Sequence, residues 1–173
     1  MLGMKGAKFN APILLSSLWF QVMWFVAVIG REGTFVWLLI GTLITLAYCA
    51  YENVKKIWLI IVLSTLGVGL DFLNGYAGLF TFPKNHFPVW LIMLWVIFGW
   101  YAVQMKDLVN RTPQRLVLLL VSLSGGLSYF AGYKVGAVAW GLGVAVSLPV
   151  LFLEWLLLAY FLTTLFRSRW GKL

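Results

Sequence analysis

The chain has 173 residues, of which 62% are hydrophobic and 10% are charged, and its formal net charge is +8. Soluble domains carry about 25% charged residues, so this composition excludes an ordinary soluble domain and indicates an integral membrane protein. One cysteine and one histidine exclude an intrachain disulfide and the usual zinc and iron sites, so we expect neither a metal nor a cofactor.

Apolar runs long enough to cross a bilayer recur along the chain and predict an all-α, polytopic transmembrane helical bundle. A span needs about 20 residues, because each residue adds about 1.5 Å across a core of about 30 Å. Residues 1–173 are expected to form a single domain, and the basic start lacks a cleavage site, so the first span is expected to be retained. The six predicted spans cover residues 11–30, 34–51, 57–73, 87–105, 116–138 and 144–166.

The last two spans are the hardest to divide, because residues 116–166 carry only Lys134 and Glu154 as charged side chains. The length fits two spans better than three, with a turn at 139–143 and Pro149 as an expected kink in the sixth span. Small residues recur at every fourth position of the fifth span, which is typical of a face where helices approach closely. This face is a candidate surface for a homo-oligomer or a partner membrane protein, and its members are Ser124, Ser128, Gly132 and Gly136.

The positive charges predict the orientation of the six spans. With the N-terminus in the cytoplasm, ten of the 13 Lys and Arg residues fall on the cytoplasmic side, as the positive-inside rule requires. Both termini are therefore expected to be cytoplasmic. The same residues are spread over short connections and form no basic patch, which argues against a nucleic-acid partner and leaves membrane lipids as the expected one.

Two carboxylates lie within predicted spans and are the candidate catalytic residues. Glu154 lies about ten residues into the sixth span, near the middle of the bilayer, where an ionised carboxylate costs at least about 2.5 kcal/mol. It acts as a proton carrier or acid–base group, or it joins helices by bonding Gln21, Ser147 or a tryptophan. Asp71 lies near the outer end of the third span, where it is a site residue or a partner of Lys134 or interfacial water.

A further set of polar and aromatic side chains is predicted to contribute to substrate binding. Asn74 shares a helix face with Asp71, since the two are three residues apart. For Gln21 the alternative is a helix–helix hydrogen bond, and for Lys134 it is a side chain that extends to the interface. The candidate binding residues are Gln21, Asn74, Trp95, Tyr129, Lys134 and Trp155.

Three stretches resemble a small family of bacterial inner-membrane proteins that is known only as a domain of unknown function. They read NAPILLSSLWFQVMWFVAVIG, FPVWLIMLWVIFGWYA and SGGLSYFAGYKVGAVAW, and the segment 126–137 is the most specific. The resemblance implies a bacterial inner membrane and a setting near genes for fatty-acyl modification and photo-oxidative stress. It implies no reaction, and the histidine-serine pair expected after the fourth span is replaced by YAVQMKDL.

Three functions remain open at the level of sequence. The first is a lipid-handling protein, either an enzyme or an accessory, with an intramembrane carboxylate site at Glu154 and Asp71. The second is a small proton-coupled transporter, although its two halves show no similarity of the kind that inverted repeats produce. The third is a structural subunit that binds a partner through the small-residue face. We favour the first.

Overall fold

The computed structural model of the protein describes residues 11–83 and 86–168, and these form an all-α bundle. Six long helices are present within them, together with the short helix α5 and a 3-10 turn at Arg31–Thr34. The helices are α1 (Ala11–Gly30), α2 (Phe35–Asn53), α3 (Lys56–Tyr76), α4 (Val89–Gln104), α5 (Lys106–Arg111), α6 (Gln114–Lys134) and α7 (Val144–Arg167).

Four helical segments are long and apolar enough to cross a membrane. The first, Ala11–Asn53, has 43 residues and contains both α1 and α2, while α3, α6 and α7 are the other three. The apolar helix α4 is shorter, with 16 residues, and nine of these are buried. A helix that is apolar on all sides belongs inside a protein, and α1, α2 and α3 all pack against α4. These features are those of a membrane protein with α4 at its centre.

The fifth long helix ends earlier than the sequence predicts. The predicted span runs to residue 138, whereas α6 ends at Lys134. Gly136 adopts a φ of +71°, and the N–H of Ala137 returns to the carbonyl of Gly132 at 2.9 Å, so the chain turns sharply out of the helix. The connection therefore covers residues 135–143 instead of 139–143.

Helix α6 packs closely against α7, and these two helices form a hairpin beside the group α1–α4. The approach uses Ser122, Gly125 and Gly126, which are all buried, because small residues let two backbones come together in a membrane. Pro149 lies inside α7, as predicted, and the expected kink there stays a prediction.

Two connections meet at one end of the bundle and cover it. Residues 77–83 and 135–143 pair through a single antiparallel bridge, in which Thr81 and Ala139 exchange N–H to carbonyl hydrogen bonds of 2.8 and 2.9 Å. Phe80 points inward from this pair and is 1% exposed. We call the two segments together the cap. Several of their backbone N–H groups bond within the protein, among them those of Leu79, Thr81, Ala139 and Gly141, which suits non-helical chain near a membrane interior.

The charged ends of the helices separate into two groups. Six of the eight described Lys and Arg residues lie at the end opposite the cap, where Gln104 donates to Glu52 and Arg167 donates to the carbonyl of Thr112. Arg31 and Lys134 lie at the cap end. The other five basic residues of the chain lie outside the described residues, and they are Lys5, Lys8, Lys84, Arg169 and Lys172.

Candidate functional site

Asp71 is the centre of a polar group that joins three helices. It comes from α3, and it is 1% exposed. Its Oδ2 accepts a hydrogen bond of 2.6 Å from the indole Nε1 of Trp95 on α4. Its Oδ1 accepts one of 2.5 Å from the hydroxyl of Tyr129 on α6. Both carboxyl oxygens are therefore held by aromatic side chains.

Glu154 is bound by a side chain of α3 that lies one helical turn after Asp71. Asn74 follows Asp71 by three residues, lies on the same helix face and is buried, and its Nδ2 donates to Oε2 of Glu154 at 2.7 Å. Glu154 itself is half-buried on α7. Four helices thus supply one group, which we call the polar cluster and which consists of Asp71, Asn74, Trp95, Tyr129 and Glu154.

Two glycines make room for the tryptophans beside the cluster. A Cβ at Gly67 would lie 2.1 Å from Trp95, and a Cβ at Gly125 would lie 2.0 Å from Trp155. The two indoles stack on each other with 5.6 Å between ring centroids and 15° between planes. Because Gly67 is one turn before Asp71, and Gly125 one turn before Tyr129, each glycine and its polar partner lie on the same helix face.

An aromatic cavity lies against the cluster, between α1 and α4 on one side and α6 and α7 on the other. Its interior holds about 80 Å³, and the empty space is about 610 Å³ when the open mouth is included. Trp95 and Tyr129, which bind Asp71, both line it. The other lining residues include Phe20, Trp24 and Val28 from α1, Trp90 and Phe98 from α4, Ser128 and Gly132 from α6, and Phe80, Phe82 and Val138 from the cap.

The side of the cavity between α1 and α6, which do not pack closely, is called the open side, and it is crossed by one hydrogen bond between these helices and one between the residues that follow them. The indole Nε1 of Trp24 donates to Ser128 Oγ at 2.8 Å. Nearer the cap, the Nη2 of Arg31 donates to the carbonyl of Val135 at 2.5 Å. Trp24 and Ser128 both line the cavity, so the first of these contacts is part of its wall.

The cluster carries two carboxyl groups without a bound basic side chain. Among the hydrogen bonds of the described residues, none joins a lysine or an arginine to Asp71 or Glu154, and the ion pair Lys56–Glu52 lies at the opposite end. Charged groups removed from water are normally paired. Such a cluster is suited to hold a proton or to bind a polar group of a molecule in the cavity. Within residues 11–83 and 86–168, no three His, Cys, Asp or Glu side chains come together as metal ligands would.

Six of the eight residues that the sequence singles out meet at this site. They are the five members of the polar cluster and Trp155. Gln21 does not join them: it is exposed on α1, and it lies two residues, or about 200° of helix rotation, before the buried Met23. Lys134 is also exposed, at the end of α6, with its Nζ 5.4 Å from the ring centroid of Phe130. Whether the six act on a substrate stays a prediction.

The small-residue face of α6 is divided between different surroundings. Ser128 bonds Trp24, and Gly132 is buried near Val28, so both face α1 of the same chain. Ser124 is exposed, and Gly136 lies beyond the end of the helix. The predicted surface for another protein is therefore not continuous, because half of it is used inside the chain.

One known protein family matches this chain over most of its length, including all residues of the polar cluster. The model of a family described as a protein of unknown function (DUF2878) matches residues 13–161. The chain belongs to the DUF2878 family. The sequence resemblance to a family known only as a domain of unknown function is thereby confirmed. No curated protein and no solved structure matches the chain.

The sequence pattern alone missed several members of this candidate site. Trp24 and Ser128 cross the open side, and Arg31 reaches the neighbouring helix end. Gly67 and Gly125 were also missed, although their spacing of four residues from Asp71 and Tyr129 is a signal that is readable in the sequence.

Proposed function

We propose that this protein handles a membrane lipid, with an acyl chain in the aromatic cavity and the polar cluster as the reactive or recognising group. The observation that carries the proposal is that Trp95 and Tyr129 do two things at once. Their rings form the cavity wall, and their N–H and O–H groups hold Asp71. A molecule in the cavity would therefore end against the side chains that fix the buried carboxyl.

The length and lining of the cavity suit a segment of a lipid chain. Its wall on α4 extends from Trp90 to Phe98, which is about 12 Å along a helix that rises about 1.5 Å per residue. One leaflet of the hydrocarbon core is about 15 Å deep, so the cavity matches the depth of one leaflet. Ligand cavities are mostly apolar with a few polar groups at fixed places, and Tyr129 and Trp95, which bind Asp71 behind the wall, supply such groups here.

The location that we propose is the inner membrane of a bacterium, with both termini in the cytoplasm. The distribution of basic residues supports this orientation, since the end opposite the cap is the richer one. The cavity and the cap then belong to the outer leaflet. The lipid reaches the cavity sideways, between α1 and α6, where the wall is formed by side chains rather than by packed backbones.

Asp71 and Glu154 have different tasks in this proposal. Asp71 lies behind the cavity wall and receives two hydrogen bonds, so it exchanges a proton with a molecule in the cavity through the hydroxyl of Tyr129, which lines the cavity. Glu154 is half-buried and bonded to Asn74, so it links this group to the more open side of α7. The protein is an enzyme if it changes the lipid chemically, and an accessory if it only binds the lipid for another protein.

The test is the lipid composition of a strain that lacks the gene, restored with variants. We expect the deletion to alter the envelope lipids, and wild-type protein and Asp107→Asn to restore them, because Asp107 is exposed on α5. Asp71→Asn and Glu154→Gln are expected to insert at wild-type levels and to restore nothing. An unchanged lipid composition on deletion, or full restoration by both variants, would overturn the proposal.

A small proton-coupled transporter is the second candidate, and the two carboxyl groups without a basic partner favour it. Pro149 lies five residues before Glu154 within α7, and transporters interrupt helices near their binding sites, although α7 is continuous from Val144 to Arg167. A growth defect of the deletion strain that Asp71→Asn fails to correct, with the lipid composition unchanged, would support transport. The third candidate, a structural subunit, has less support because Ser128 and Gly132 face α1.

A further inference from the structure

We infer that Arg31 binds a phosphate group at the mouth of the aromatic cavity, so that the molecule held there is a phospholipid. The inference rests on the proposed function and names its substrate class. Arg31 lies in the turn between α1 and α2, at the cap end of the bundle. In the orientation proposed above, an arginine at this level would meet lipid headgroups rather than acyl chains.

The backbone of Arg31 is in an unusual conformation for its residue type. Its φ is +53°, in the left-handed region, and it is the one described residue other than glycine with a positive φ. Glycine adopts this conformation without steric cost, whereas an arginine does not. Strain of this kind concentrates at functional sites, where the surrounding structure maintains it. The side chain at position 31 thus has a use that glycine would not provide.

The guanidinium of Arg31 is held in place by one hydrogen bond to the backbone. Its Nη2 donates to the carbonyl of Val135, which fixes the group across the gap between α1 and α6. Its Nε is buried and has no hydrogen-bond partner among the described residues. A guanidinium has five N–H donors in one plane, and this geometry suits the oxygens of a phosphate.

A second cavity of about 150 Å³ lies beside Arg31 and adjoins the aromatic cavity. Arg31, Glu32 and His86 contribute its polar lining. Phe82, Trp90 and Ala137 line both cavities, so the two share a wall. One side thus offers a cation for a headgroup and the other an apolar space for a chain, which is the arrangement that a phospholipid requires.

Lipid binding by the purified full chain in an uncharged detergent, followed by native mass spectrometry, tests the inference. The probes are phosphatidylglycerol and a diacylglycerol with the same acyl chains. We expect wild type to bind phosphatidylglycerol more tightly. In Arg31→Gly, whose backbone suits the φ of +53°, the Kd for phosphatidylglycerol should rise about 10-fold or more, with little change for diacylglycerol.

Three further variants refine the test. Arg31→Lys keeps the charge but not the planar fork, and its Kd should fall between wild type and Arg31→Gly. Glu32→Gln removes a negative charge from the cavity and should tighten phosphatidylglycerol binding. Arg111→Gln, at an exposed arginine on the opposite end, should bind like wild type, which controls for general attraction to anionic lipid. Thermal unfolding of each variant checks that the bundle is intact.

The possible results separate the two proposals. If wild type binds neither lipid, the proposed function fails and the inference fails with it. If diacylglycerol binds but Arg31→Gly binds phosphatidylglycerol as wild type does, only the role of Arg31 is overturned. Displacement of phosphatidylglycerol by millimolar inorganic phosphate would identify free phosphate as the source of the anion, and would overturn the assignment to a phospholipid.

Discussion

Replacing Gly67 by alanine should destabilise the protein, because the new methyl group would enter the ring of Trp95. The Cβ would lie 2.1, 2.2 and 2.3 Å from three atoms of that ring, far inside ordinary contact distances. The ring would have to move by more than about 1 Å, which costs about 1–3 kcal/mol as in other overfilled cores. The same movement would break the 2.6 Å bond to Asp71, and a hydrogen bond between membrane helices is worth about 0.6 kcal/mol.

Gly69→Ala is the matched control for this prediction. It lies on the same helix two residues later, and its Cβ would have no neighbour within 4 Å. Alanine there should raise the free energy of unfolding by about 0.5–1 kcal/mol through its higher helix propensity. Unfolding in mixed micelles, followed by circular dichroism while the share of denaturing detergent is increased, measures both variants. If Gly67→Ala is as stable as Gly69→Ala, the close contact between α3 and Trp95 is not present in the protein.

Two other glycine substitutions test the remaining contacts of the site and the cap. Gly125→Ala should lower the free energy of unfolding by about 1–3 kcal/mol, since its Cβ would lie 2.0 Å from Trp155, while Gly126→Ala should be tolerated because its nearest contact is 3.8 Å. Equal effects in the two adjacent variants, measured in the same unfolding experiment, would contradict the position of Trp155. Gly141→Ala should loosen the cap, because its Cβ would lie 2.4 Å from the carbonyl oxygen of Gly78, and amide hydrogen exchange in residues 77–83 should increase. Unchanged exchange there would count against the pairing of the two connections.

The helices were largely predictable from sequence, because the length of an apolar run determines how much chain a membrane can hold. The first span coincides with α1, and the sixth differs from α7 by one residue at its end. The fifth was predicted four residues too long. The apolar residues 135–138 continue the hydropathy of α6, and only the left-handed conformation at Gly136 takes the chain out of the helix. Hydropathy carries no information about that conformation.

The residues of the polar cluster were predictable from the sequence, but their hydrogen-bond partners were not. Intramembrane Asp71 and Glu154 are conspicuous because charged residues are rare in spans, and the spacing of Asn74 follows from helix geometry. Which helix each side chain faces depends on how the bundle closes. Glu154 was expected to bond Gln21, Ser147 or a tryptophan, yet its partner is Asn74, while Gln21 points away from the buried side of α1.

The long separations within the polar cluster have a consequence for synthesis. The partners of Asp71 follow it by 24 residues (Trp95) and by 58 residues (Tyr129). The partner of Asn74, Glu154, follows it by 80 residues. At about 5–20 residues per second, a ribosome needs about 4–16 s to make those 80 residues. Until residue 95 has been made, the carboxyl group of Asp71 has neither of its final partners, and the amide of Asn74 lacks Glu154 for the whole of that time. The nascent third helix therefore depends on a proton, on water or on the insertion machinery until the last helix arrives.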